Sequence, residues 1–135
     1  VENRLGTKKF AGTLIVGFRR KKAEATRSFE MLQELLKEEP YRTYISGIDL
    51  NADERHDMPD EYYPLFARVK QYNLTNPKDN ISITFHIGEV FDDKTIESSI
   101  SWVDLLIDPL QRKIDKYGEM EQVARIGHAI ILGIN

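Results

Sequence analysis

The sequence predicts an α/β chain whose strand–helix units follow one another in order and pair in parallel. Two observations carry this. Four short runs rich in β-branched residues recur along the 135 residues, at 13–18, 44–48, 81–85 and 123–127, with helical periodicity between them. Groups able to do acid–base or metal chemistry stand at the ends of three of these runs: Asp49, His86 and His128. Strands alternating with helices make right-handed crossovers and a parallel sheet.

The run starts are 31, 37 and 42 residues apart, counted from Thr13, Tyr44, Ile81 and Val123. A first helix is predicted over 23–39, where Phe29, Leu32, Leu35 and Leu36 form one apolar stripe and Pro40 stops it. A second is predicted over 60–72, with Pro59 near its first turn and Tyr63, Phe66, Ala67 and Val69 following. A third is predicted over 95–107, its stripe made by Ile96, Ile100, Val103, Leu106 and Ile107, and Asp108-Pro109 ends it. A polar stretch over 111–121 reads as a short surface helix or loop.

An open doubly wound sheet brings together only the strands beside its crevice, whereas a barrel converges all its strand ends on one site. Three polar strand ends favour the barrel. Four strands are too few to close one, which takes ~250 residues. The expected fold class is therefore α/β, a partial (β/α)8 TIM barrel of about four consecutive parallel strand–helix units. Residues 1–135 are expected to be the central segment of a larger domain or assembly.

Composition narrows the function. At 41% hydrophobic and 30% charged residues the chain is too apolar for disorder. A net charge of −3 gives no electrostatic footprint for nucleic acid or an anionic membrane, so neither is expected as a partner. No apolar run reaches the ~18 residues of a membrane span. The absence of cysteine excludes disulfides, thiolate metal sites and a cysteine nucleophile. The first nine residues are polar and mixed, unlike a signal peptide, so a cytoplasmic setting is expected. The Asn-x-Ser/Thr matches at Asn73 and Asn80 then read as chance. There is no Walker loop, dinucleotide glycine fingerprint or Gly-x-Ser-x-Gly elbow.

His86, Gly88 and Glu89 form a His-x-Gly-Glu string at a strand end. Imidazole ligates zinc, a nearby carboxylate shuttles protons, and Gly88 permits the sharp turn that aims both at one place. Taken alone, the string also fits a polar strand end with a solvated acid. Arg125-Ile126-Gly127-His128 ends the next strand and would set His128 beside His86. The junction from Gly47 to Glu54 is acidic; Asp49 and its neighbours either orient a ligand or cap the loop. His56 reads as an exposed loop residue, and Arg19-Arg20-Lys21-Lys22 as a solvated helix start. Trp102, Tyr62 and Tyr63 lie in helical stripes and read as packing residues rather than a stacking platform.

Together, Gly-Ile-Asp-Leu-x-x-Asp-Glu (Gly47 to Glu54), His-x-Gly-Glu (His86 to Glu89) and Arg-Ile-Gly-His (Arg125 to His128) resemble the adenosine deaminase family. The resemblance runs from Leu14 to Gly133, over what would be the third to sixth strands of that family's zinc-dependent barrel. It implies Zn2+ as cofactor and His86 as a metal ligand. It implies Glu89 as the acid that protonates the purine ring, and His128 as the group that orients and helps deprotonate the attacking water. Asp49, Ala52 and Glu89 would meet an adenine nucleoside or nucleotide, deaminated at C6 with release of ammonia.

Departures from the pattern bear on the purine pocket. Ala52 replaces the usual glycine, Asn51 is polar where a small residue is usual, Ile87 replaces a small residue, and Ala129 stands where glycine is common. No His-x-His zinc pair occurs in these 135 residues, and the family's last strand, which carries its aspartate ligand and a second aspartate, is not among the four strands expected here. One ligand does not hold a catalytic zinc, which takes three protein donors. The remaining barrel segments, in the same or another chain, are therefore expected partners. The competing readings are a catalytically silent deaminase-like scaffold or nucleotide-binding module, and an unrelated flavodoxin-like binding domain.

Overall fold

The computed structural model describes residues 12–51, 53, 55, 57–89, 95–107 and 120–128. Four strands, β1 (Leu14–Arg19), β2 (Ile45–Asn51), β3 (Ser82–Ile87) and β4 (Val123–His128), form one sheet in the order β1-β2-β3-β4. All three pairings are parallel, and sequence neighbours are spatial neighbours throughout. The helices are α1 (Lys22–Leu35), α2 (Tyr41–Tyr44), α3 (Tyr63–Thr75) and α4 (Ile96–Ile107), with a 3-10 helix at Pro59–Tyr62 leading into α3. The predicted strands are found within one to three residues of their expected bounds.

Side chains alternate across the sheet as pleating requires. Phe18, Ile48, Leu50, Ile83, Phe85 and Ile87 are buried in one core with Phe29 and Leu32 of α1, Phe66 and Val69 of α3, and Val103 and Leu106 of α4. All three long helices thus cover the same face. Each large apolar side chain buried there contributes about 1.5–3 kcal/mol. Phe85 is the hub, meeting Tyr62 edge-on at 5.5 Å and Phe66 at 6.3 Å between ring centroids. Tyr62 and Tyr63 are buried and Trp102 packs against the core, so these aromatics are packing residues. On the opposite face one register row runs Gly17, Asp49, Thr84, Arg125 across all four strands.

Two helices differ from expectation. Helix α1 stops at Leu35, short of the predicted 39, because its last turn tightens: Lys37 N–H donates to Glu34 O and Glu38 N–H to Leu35 O. The residue before Pro40 also disfavours helix. Leu35 itself is 46% exposed, while Phe29, Leu32 and Leu36 are buried. Helix α4 buries Ser99, Val103, Leu105 and Leu106 and leaves Ile96, Ile100 and Ile107 exposed, against the predicted stripe. The helix is apolar on two faces, and periodicity does not say which one meets the sheet. The stretch predicted over 111–121 lies largely outside the described residues, as do Asp108 and Pro109.

At the N-terminal end of the sheet, Asn73 ties three units together. Its Nδ2 donates to Ile81 O and Glu121 Oε2, both at 2.9 Å, and its Oδ1 accepts from Ile81 N–H at 2.8 Å. Glu121 N–H in turn donates to Phe66 O at 3.0 Å. The Asn73 carboxamide is therefore buried and engaged at both ends, in keeping with its glycosylation match being chance.

Candidate functional site

The strand ends bring Asp49, His86, His128 and Glu89 to one place. Asp49 and His86 both project from the face away from the helices, on adjacent strands. The His86 Nδ1 lies 2.8 Å from Asp49 Oδ1. A carboxylate only accepts, so Nδ1 carries the proton of this bond, and in the neutral form of the ring the lone pair is then on Nε2. The other oxygen, Asp49 Oδ2, accepts from Asn51 Nδ2 at 3.1 Å. The departure at Asn51 thus has a structural reason: its amide steadies Asp49.

His128 reaches the site by a bend in its backbone. Alternation from Ile126, which packs against the core, would send His128 to the helix side. Its φ of 66° lies in the left-handed region, and its ring instead stands 5.1 Å from the His86 ring, centroid to centroid. Such a conformation costs about 1–3 kcal/mol outside glycine. His128 Nε2 is 3.3 Å from Glu89 Oε2. Glu89 comes round because Gly88 turns the chain at φ 78°, as the sequence led us to expect. Gly127 completes the cradle: a Cβ there would stand 2.5 Å from His86 Cδ2, so only glycine lets this ring lie against β4.

Exposure grades across the cluster. The Asp49 side chain is 18% exposed and that of Glu89 60%. The buried end therefore fixes geometry and the open end faces solvent. Ala52, Glu54 and His56 lie outside the described residues. Asp53 forms a local pair with Arg55 at 2.8 Å.

One reading is corrected. Arg20 is not part of a solvated helix start: it is 1% exposed, while Arg19, Lys21 and Lys22 around it are exposed. Its guanidinium donates to His86 O at 3.0 Å and to Asp57 O at 2.9 Å, with Cζ 4.7 Å above the Phe85 ring. Asp57 was not singled out from the sequence either. Its Oδ2 accepts from Lys22 N–H, the first residue of α1, and from the Tyr62 hydroxyl. Burial, reinforced by this bond to Asp57, holds the Tyr62 hydroxyl well above its ordinary pKa. A run of four basic residues gives no sign of which one turns inward.

The donor set was tested for a metal. His86, with a carboxylate on Nδ1 and a free lone pair on Nε2, is built as metal-ligating histidines are. Among the described residues no three His, Asp or Glu side chains gather closely enough to hold an ion. The residues present thus suit one ligand position. No described helix is long and apolar enough to cross a membrane.

A parallel α/β sheet with a histidine–carboxylate cluster at its C-terminal strand ends is the class that fold and site define. No protein-family profile matches the chain. It is similar to an uncharacterized deaminase of Schizosaccharomyces pombe (strain 972), 32% identical over 87 residues, covering 61% of this chain and 26% of that protein. The matching part of the chain spans about a quarter of that curated relative.

Proposed function

We propose that residues 1–135 are the central part of a (β/α)8 hydrolase of the adenosine deaminase type, acting at C6 of an adenine nucleoside or nucleotide. The observation that carries this reading is the cluster itself: Asp49–His86 beside His128–Glu89, at the ends of three consecutive parallel strands. The unbroken strand order and helices on a single face support a barrel arc over a doubly wound sheet. The similarity to a deaminase supports hydrolytic removal of an amino group.

His86 would be one ligand of a zinc ion, with Asp49 orienting it through Nδ1. The remaining donors would come from barrel segments outside the described residues, since a catalytic zinc takes three protein ligands. When bound, zinc makes hydroxide available near neutral pH. His128 orients the attacking water and takes up its proton. Glu89, in its acid form, gives a proton to the ring nitrogen beside the reacting carbon. The C–O bond forms, the proton held by His128 passes to the amino group, the C–N bond breaks and ammonia leaves, and the new hydroxyl's proton returns to Glu89 to give the 6-oxopurine. Asp49, Ala52 and Glu89 would line the base.

The test is zinc content by elemental analysis together with ammonia release from adenosine and adenine nucleotides, using the native protein. Zinc uptake that is lost in His86→Ala, with ammonia release from at least one adenine compound, is expected. A wild type that binds no zinc and releases no ammonia would replace this reading with a silent scaffold.

A further inference from the structure

We propose that Arg20 is a positioning residue that holds the C-terminal end of β3, and with it the His86 ring, through the His86 carbonyl. The β2–β3 ladder ends at the Leu50–Phe85 pair, so the His86 carbonyl lies one residue past the last paired position. Arg20 Nη1 meets that carbonyl at 3.0 Å. The same residue anchors two other segments: its backbone N–H donates to Asn51 O at the end of β2, at 2.8 Å, and its Nη2 donates to Asp57 O. The guanidinium lies on the Phe85 ring, the residue preceding His86.

Arg20, from just past β1, thus joins the ends of β2 and β3 to the loop before the 3-10 helix. Both residues that shape the site are within its reach, His86 directly and Asp49 through Asn51. Burying a guanidinium is costly, and a purely packing role is served equally well by an apolar side chain of similar volume. A planar fork that donates to two carbonyls at once does what an apolar residue or a lysine does not. The clamp stands on hydrogen-bond geometry alone; only the zinc arm of its test rests on the function proposed above.

The experiment uses the native protein labelled with 13C-carbonyl histidine and 15N isoleucine. His86-Ile87 is the only His-Ile step in the sequence, so the pair isolates one peptide of this chain. In Arg20→Lys and Arg20→Ala, the His86 carbonyl signal is expected to move upfield as its hydrogen bond is lost. Apparent zinc affinity should fall about 10- to 100-fold, the usual effect of removing a group that orients a metal ligand. A role in packing alone would lower the melting temperature and leave the carbonyl signal and the zinc affinity of the folded variant unchanged; that result overturns the clamp. If neither variant folds, the wild type labelled with 15N arginine and 13C-carbonyl histidine decides: a scalar coupling from Arg20 Nη to the His86 carbonyl carbon supports the clamp, and its absence overturns it. If the wild type takes up no zinc, the proposed function falls and the carbonyl signal still judges Arg20.

Discussion

Replacing Glu89 by glutamine keeps the side chain's size and its reach toward His128 and removes the proton it has to give. Under the proposed reaction, Glu89→Gln retains zinc and loses about 10²–10⁴-fold in turnover, the span assigned to general acid–base catalysis. Full activity in that variant would remove Glu89 as proton donor. Asp49→Asn retains a hydrogen-bonding partner for His86 but turns a fixed acceptor into a group that can also donate. It should lower zinc affinity about 10–100-fold, read by competition with a chelating dye. At this scale the meeting of His86, Glu89 and His128 was legible in the sequence because their motifs stand at the ends of successive strand-forming runs. The sequence did not show Arg20, since an arginine between charged neighbours looks the same in a chain whether it is solvated or buried. Nor did it show the backbone of His128, whose left-handed φ has no glycine to announce it.

Among the elements, β4 depends on Gly127 and the 3-10 helix on Tyr62. Gly127→Ala would drive a methyl group into the His86 ring, where the gap is 2.5 Å. Ring or strand has to shift, at about 1–3 kcal/mol as overpacking usually costs, and the Asp49–His86 bond is the contact to go. Thermal unfolding together with imidazole NMR would show both effects; an unshifted His86 would contradict the cradle. Tyr62 titrates above its ordinary value of about 10, because burial and the bond to Asp57 favour the neutral phenol. Its contribution is therefore whole below pH ~10 and declines as pH rises beyond it, since the unfolded chain ionises first. Tyr62→Phe should cost about 1–3 kcal/mol at pH 7 and flatten the alkaline decline, measured by urea unfolding across pH. Strands were legible because β-branched runs between polar segments have few other readings. The face of α4 was not, because Ile96 and Ile100 rival Val103 and Leu106 in apolarity. The 3-10 helix and α2 are each four residues long, too short for a periodic signal.

At the scale of the whole molecule, β1 and β4 each pair with a single strand, so both outer edges of the sheet are unpaired among the described residues. Leu14 is 61% and Ile15 49% exposed on the β1 side, and α4 exposes Ile96, Ile100 and Ile107. Residues 1–135 produced alone should therefore self-associate, and Ile15→Lys should reduce the association by placing a charge on the edge. Light scattering measures both; a monodisperse wild-type segment that unfolds cooperatively would count against the arc of a larger barrel. The linkage through Asn73 has a consequence of another kind. It fastens the end of the sheet opposite the cluster, joining α3 to the starts of β3 and β4 without using any residue of the site. In engineering terms the two ends of the sheet are separable. A substitution at Asn73 is expected to lower stability and leave the Asp49–His86 contact in place, whereas one at Asp49 or His86 is expected to alter the cluster and spare the far end.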